Sequence, residues 1–360
     1  MAKVKVEGLV KKFGSTVAVS KVSFTVNEGE LVTLLGPSGC GKTTTLRMIA
    51  GLAKPDEGRI YFGEERVDHM PPNARNIGMV FQNYALFPHM TVFNNVAFGL
   101  HLRKLNQKQI RERVMAMLEL VQMGEYANRK PSQLSGGQQQ RIAVARALAV
   151  DPDVLLLDEP LSNLDAKLRE AVRLELRDLI KKAKKTTIFV THDQIEALTL
   201  SDRIILMDRG QIVQEGTPEE LYSKPKSVFA ANFIGTNNFL NGVVEQAQGD
   251  TALLRVGEST FQIGLESFAD PRTAAAQTPV VLVIRPEDLE PSLTGDPKQN
   301  SIPCRLKHRV FSGSCTLLVF AAGDAVLNVE LPVQKAAQIP EDEEIYLLFD
   351  RCRVLPRQRD

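Results

Sequence analysis

The run Gly36-Pro37-Ser38-Gly39-Cys40-Gly41-Lys42-Thr43 satisfies G-x-x-x-x-G-K-[ST] at every fixed position. Each residue type has a part in holding a chain of phosphates. Glycines at 36, 39 and 41 let backbone N–H groups turn inward around phosphate oxygens, and a helix opening at Lys42 adds a favourable field. Lys42 brings a positive charge to the β- and γ-phosphates, and the Thr43 hydroxyl is a magnesium ligand. Pro37, Ser38, Cys40 and Thr44 complete the loop, with Cys40 read as a small filler residue and not as a redox group. Further on, Val154-Leu155-Leu156-Leu157 runs into Asp158 and Glu159. Beside the loop, Asp158 would face the magnesium ion, directly or through water. Glu159 would polarise an attacking water, which phosphoryl transfer to water requires.

Those groups need a frame. Up to about residue 235, short β-branched runs (4–6, 31–35, 77–81, 154–157, 187–190 and 203–207) alternate with helical stretches (42–50, 106–121, 137–149 and 166–182). Strands as apolar as 154–157 need cover on both faces, so the arrangement is α/β with a parallel sheet. From about residue 240 the pattern changes to short strands punctuated by Gly, Pro and Asp, at 240–245, 260–263, 280–284, 302–310, 316–320 and 345–349. Two domains are expected, 1–235 and 236–360, the second all-β.

Between the loop and the acidic strand stands Leu134-Ser135-Gly136-Gly137-Gln138. Gln82 follows the 77–81 strand, Ser162-Asn163-Leu164-Asp165 follows Glu159, and Thr191-His192-Asp193 ends another strand. In this order the set closely resembles the ATP-binding-cassette (ABC) ATPases. They match that family's signature, Q-loop, D-loop and switch histidine, and Phe13 matches the aromatic residue that stacks on adenine. The resemblance implies a P-loop NTPase core with a helical signature subdomain. It implies ATP and Mg2+ as ligands, the metal held by Thr43, Gln82 and Asp158. It further implies a catalytic set of Lys42, Gln82, Glu159 and His192, with Glu159 as general base and His192 on the γ-phosphate. Taken alone, Leu134–Gln138 would be a helix cap. In this company Ser135, Gly136, Gly137 and Gln138, with Asp165, are expected to contribute to nucleotide binding. One chain then has two phosphate sites, the arrangement of a closed two-fold homodimer that shares two MgATP between P-loop and signature.

The tail adds detail. Val283-Ile284-Arg285-Pro286-Glu287-Asp288 resembles the turn of a C-terminal TOBE/OB-like β domain in the importer ATPases for maltose, polyamines, ferric iron and sulfate. That resemblance implies permease partners, an external solute-binding protein acting indirectly, and a place on the cytoplasmic face of the inner membrane. The apolar and aromatic stretch from Asn83 to Val92 is similar to the family segment that receives a permease coupling helix. Leu157 before Asp158, and the Gly235–Leu240 sequence, tilt the solute towards a polyamine, ferric iron or small anion and away from a sugar. A soluble, non-transport regulatory ABC ATPase is the alternative. It is disfavoured by a single cassette with no coiled coil. A guanine-reading Asn-Lys-x-Asp motif is missing, which removes GTPases, and small-molecule kinases lack the signature and D-loop.

Bulk properties agree. Lys plus Arg is 44 and Asp plus Glu 43, a net charge of +1, and such balance argues against a nucleic-acid partner. The basic run Lys181, Lys182, Lys184 and Lys185 ends a helix, where it complements the helix dipole. Four scattered cysteines suggest reduced thiols, and no apolar run reaches the ~18 residues of a spanning helix. The N-terminus lacks the apolar core of a signal peptide.

Overall fold

The computed structural model describes residues 2–103, 105–295 and 300–357. Contacts divide the chain into two compact units, Met1–Glu219 and Glu220–Asp360.

In the first unit, β1 (Val4–Phe13), β2 (Thr16–Val26), β4 (Glu57–Phe62) and β5 (Glu65–Arg66) form an antiparallel sheet in the order β2-β1-β4-β5. A second sheet has the order β10-β9-β3-β8-β7-β6. Its members are β3 (Leu31–Leu35), β6 (Ile77–Val80), β7 (Val154–Asp158), β8 (Thr186–Thr191), β9 (Arg203–Asp208) and β10 (Gln211–Gly216). All of these pair in parallel except β10, which runs antiparallel to β9. Every residue of β3, β7 and β8 is buried, which is the reason those runs are continuously apolar or Thr-rich. One core lies around α1 (Lys42–Ala50) and both sheets, including Val6, Phe24, Ile49, Leu156 and Ile205. Another is built by α2 (Val92–Leu102), α3 (Gln107–Leu120), α4 (Gly136–Ala149) and α5 (Ala166–Ala183) against β7, including Val96, Val114, Ala143, Leu155 and Val172.

Helix ends follow the local chemistry. Asn106 and Gln109 close a capping box on α3, and Asp165 accepts from Leu168 N on α5. Asp193 caps α6 (Gln194–Leu200) by accepting from Ile195 N and Glu196 N. The antiparallel sheet and α2 were not evident in the periodicity. β1 and β2 meet through repeated register shifts that break strict alternation, and α2 carries Gly99 together with Phe93 and Phe98.

In the second unit, α7 (Pro218–Ser223), which spans the division, and α8 (Val228–Phe233) lead into two five-stranded antiparallel sheets. One has the order β13-β12-β11-β14-β20, from β11 (Asn238–Gln248), β12 (Thr251–Val256), β13 (Ser259–Gly264), β14 (Pro279–Ile284) and β20 (Arg353–Pro356). The other has the order β15-β19-β16-β17-β18, from β15 (Glu290–Ser292), β16 (Asn300–Phe311), β17 (Cys315–Ala322), β18 (Ala325–Pro332) and β19 (Glu344–Phe349). They share a core that includes Leu254, Phe261, Leu282, Phe320 and Phe349. Buried Asn238 joins the sheets, donating to Asn328 O at 2.8 Å and accepting from Asn328 N at 2.7 Å.

The Arg285-Pro286-Glu287 turn has a structural task here. Arg285 Nη1 donates to Ile234 O at 2.7 Å, Nη2 donates to Tyr222 O, and the guanidinium lies 3.8 Å from the Tyr222 ring centroid. Tyr222 Oη in turn donates to Glu287. One buried arginine therefore ties residues 222–236 to the sheet of β14. Ala231 packs on Val281, Val283 and Leu355 beside it.

Candidate functional site

The parallel strands deliver most of the expected groups to one edge. β3 ends at Leu35 and the Gly36–Thr43 loop follows it, while β7 ends in Asp158, β8 in Thr191, and Gln82 lies two residues beyond β6. Ligands bind at the carboxyl ends of strands in sheets of this kind.

Two of the loop glycines are required by their surroundings. A Cβ at Gly36 would stand 2.2 Å from Met207 O, and one at Gly41, where φ is +103°, would stand 2.5 Å from Ala18 O. Lys42 is buried, and its Nζ donates to Gly36 O at 2.7 Å and Pro37 O at 2.8 Å. Both acceptors are neutral carbonyls, so the ammonium charge remains available to an anion. Cys40 is buried, with Sγ 3.8 Å from Lys42 Nζ, and burial pushes its thiol up. The thiolate is thereby disfavoured.

Thr43 Oγ1 donates to Asp158 Oδ1 at 3.0 Å, so two hard oxygen atoms that could ligate a cation stand together at the loop. Burial pushes the Asp158 carboxyl above its usual range, with the Thr43 hydrogen bond opposing that shift. A bound cation would offset the same penalty. Among the described residues, no group of three or more His, Cys, Asp or Glu is arranged to cage a metal. The pair fits magnesium, which takes few protein ligands and completes its shell with phosphate and water.

Glu159 sits in the left-handed region at φ +45°, uncommon for a residue with a side chain. Its N–H still donates to Val190 O at 3.0 Å, so the turn is anchored across to β8. The carboxylate is met from two sides. Gln82 Nε2 donates to Glu159 Oε2 at 3.3 Å, and His192 Nδ1 lies 3.3 Å from the same oxygen. His192 and Gln82 are exposed, while Glu159 is half-buried. A carboxylate of this kind, held but open to solvent, can accept a proton from a water.

The structure gives two residues of the 162–165 match a fastening task and adds Asn95, which the motif spacing did not single out. Ser162 Oγ donates to Glu159 O at 2.8 Å and Asn163 Nδ2 donates to Gln82 O at 2.8 Å, which locks the two loops together. Asn95, fully buried, accepts from Phe87 N and donates to Phe87 O and Thr91 O, fixing the segment after Gln82. In that segment Tyr84 is buried and Leu86 and Phe87 are half-buried, while Asn83, Ala85, Pro88 and His89 are exposed. A buried Asn facing several carbonyls would have been the signal, but that pairing is invisible in sequence.

Ser135 is the N-cap of α4. It accepts from Gln138 N at 3.4 Å, and Gln138 Oε1 accepts from Ser135 N at 2.9 Å. The capping function of Leu134–Gln138 is thus real, yet Ser135 remains exposed with the α4 N-terminus behind it. Among the described residues, no hydrogen bond joins Ser135, Gly136, Gly137 or Gln138 to the Gly36–Thr43 loop. Close packing does link Gly136 and Gly137 to the D-loop side. A Cβ at Gly136 would stand 2.9 Å from a Leu164 methyl, and one at Gly137 3.2 Å from a Val172 methyl. Asp165 is exposed and spends its carboxylate on the α5 cap.

Phe13 ends β1 with 57% of its surface exposed, and Lys11 Nζ lies 5.5 Å from its ring centroid. A free aromatic face is what base stacking needs. Phe13→Ala should weaken nucleotide binding by ~1–3 kcal/mol, the usual worth of a base–aromatic contact. Titration with a fluorescent ATP analogue checks this, and an unchanged affinity removes Phe13 from the site.

The profile of the ABC transporter family matches residues 19–162. An Fe(3+) ions import ATP-binding protein of Agrobacterium fabrum (strain C58) is 47% identical over 85% of this chain and 84% of its own length. A spermidine/putrescine import ATP-binding protein of Pasteurella multocida (strain Pm70) is 47% identical over 79% of this chain and 76% of its own. Among solved structures, a dimeric ATP-binding cassette in a post-hydrolysis state bound to ADP and Pi is 35% identical with a TM-score of 0.53. It aligns with 60% of this chain and 98% of that chain. With a glycine loop, a Thr–Asp pair and a Gln–Glu–His cluster at one sheet edge, and relatives matched along most of its length, the chain belongs to the ABC transporter ATPases.

Proposed function

We propose that the chain is the ATP-hydrolysing subunit of an ABC import system, working as a homodimer on the cytoplasmic face of the inner membrane against a permease. The observation that carries the catalytic half is the cluster at Glu159, whose carboxylate faces Gln82 and His192 across 3.3 Å each. Lys42 and the loop N–H groups hold the phosphates, Phe13 stacks on the base, and Glu159 takes the proton of the attacking water. His192 orients that water and the γ-phosphate, and Gln82 keeps the carboxylate in place. Thr43, Asp158 and Gln82 would hold magnesium, which would supply charge neutralisation at the phosphates. Ser135, Gly136, Gly137, Gln138 and Asp165 of a second copy complete each site. The dimeric cassette among the solved structures supports that pairing.

The import assignment rests on the relatives, named for Fe(3+) and for spermidine/putrescine. The solute is accordingly assigned to the class of small cationic species, ferric iron or a polyamine. No helix among the described residues is long and apolar enough to cross a membrane, so membrane attachment would run through permease subunits. Residues 236–360 act as the regulatory β domain. Purification from gently solubilised native membranes, with mass spectrometry of stoichiometric companions, tests the reading. Recovery with polytopic permease chains is expected. Recovery with soluble partners alone would replace transport with a regulatory ATPase.

A further inference from the structure

One side chain stands behind the Glu159–His192 pair and touches both of the loops that carry it. Arg169, in the first turn of α5, donates from Nε to Leu161 O at 3.3 Å and from Nη2 to Leu164 O at 2.9 Å and Ser162 O at 3.5 Å. These carbonyls belong to the turn that follows Glu159, and Ser162 also returns a hydrogen bond to Glu159 O. On its other side the same guanidinium faces the loop after β8. Nη1 lies 3.7 Å from Asp193 Oδ2, and Nε 4.0 Å from Glu196 Oε1. Asp193 and Glu196 are not free to drift. Asp193 caps α6 and donates its N–H to Thr191 Oγ1, while that hydroxyl donates to buried Glu196 at 2.6 Å. His192 is thus strung between two residues of a closed network that ends on Arg169.

Resting on the proposed roles of Glu159 and His192, we infer that Arg169 is a positioning residue. It sets the spacing of that pair by holding the turn after Glu159 and the loop around His192 on one rigid fork. The chemistry suits arginine. Its planar fork donates in several directions at once, which a lysine ammonium on a flexible stem cannot reproduce. Two carboxylates balance its charge while three neutral carbonyls use its directionality. Since Glu159 is held in a left-handed conformation by its surroundings, loosening the turn lets the carboxylate swing away from His192.

Arg169→Gln is therefore expected to lower kcat for ATP hydrolysis roughly 10- to 100-fold, the cost of misplacing a catalytic group by about an ångström. KM and the affinity for a fluorescent ATP analogue should stay within about twofold, because the phosphate loop is untouched. In an Arg169→Gln/His192→Ala double variant the loss should not exceed the larger single loss by more than about twofold, since both act on one pair. Unchanged turnover would overturn the assignment. So would a parallel loss of nucleotide affinity and thermal stability, which marks a merely structural role, or a fully multiplicative loss in the double variant. If Arg169→Gln does not fold, Arg169→Lys, which keeps the charge and forfeits the fork, is measured in the same way and should lose kcat with KM retained. Failure of the underlying reading looks different. In that case Glu159→Gln and His192→Ala themselves hydrolyse ATP normally, whereas the failure of Arg169 alone leaves those two variants impaired.

Discussion

Glu159→Gln should abolish turnover while leaving the protein able to bind ATP, and should accumulate an ATP-bound dimer. The substitution preserves size and keeps an oxygen within reach of Gln82 and His192, which stand 3.3 Å from the native carboxylate. What it removes is the ability to take a proton. General-base catalysis contributes about 10²–10⁴-fold, or roughly 3–5.5 kcal/mol of barrier, and the loss in kcat should fall in that range. Backbone effects should be small, because glutamine at φ +45° meets the same strain as glutamate. With hydrolysis stopped, a γ-phosphate that bridges two chains is never released, so size-exclusion chromatography with ATP should show the dimer and with ADP the monomer. A variant that stays monomeric with ATP and hydrolyses it at the native rate would remove Glu159 from the role of base.

Ser135→Asp separates two readings of the same residue. As a helix cap, aspartate is as good as serine and adds favourable charge at the N-terminus of α4, so stability should hold or rise slightly. As a phosphate contact, the added negative charge would repel the anion and delete a hydroxyl donor. Losing one such donor costs about 10²–10³-fold in turnover, and repulsion adds to it. The expected result is therefore a stable protein with near-native ATP affinity as a single chain, at least ~100-fold slower hydrolysis, and no ATP-dependent dimer. Thermal melting, nucleotide titration and steady-state rates on one preparation decide the matter. Unimpaired hydrolysis would leave Ser135 as a cap alone.

Much of the site could be read from residue order because its pieces are local. The Gly36–Thr43 loop is a contiguous strand-to-helix turn whose glycines are dictated by backbone geometry, including the 2.5 Å approach of Ala18 O to a Cβ at Gly41. Asp158 ends, and Glu159 follows, a strand of five buried residues, and the continuous apolarity of its first four is what burial on both faces writes into a sequence. Helix limits were equally legible where a cap stated them. The stretch expected at 106–121 begins after the Asn106 cap, and that expected at 166–182 begins after the Asp165 cap.

Long-range pairing was not written so plainly. The antiparallel sheet of β1, β2, β4 and β5 is assembled from segments far apart, through register shifts that blur alternation, so only residues 4–6 stood out as a strand. The second unit told the same story, its all-β character being clear while Asn238 joining Asn328 across ninety positions was not. Charge balance, the covered parallel sheet, the phosphate loop and the acidic strand end were determined by sequence alone, since each depends on neighbours along the chain. Tertiary structure decided how Glu159 is turned onto His192, that Asn163 fastens the Gln82 loop, and that Arg169 holds both halves of the pair. Those are contacts between loops set by the order of strands in a sheet, and strand order is a property of the fold as a whole.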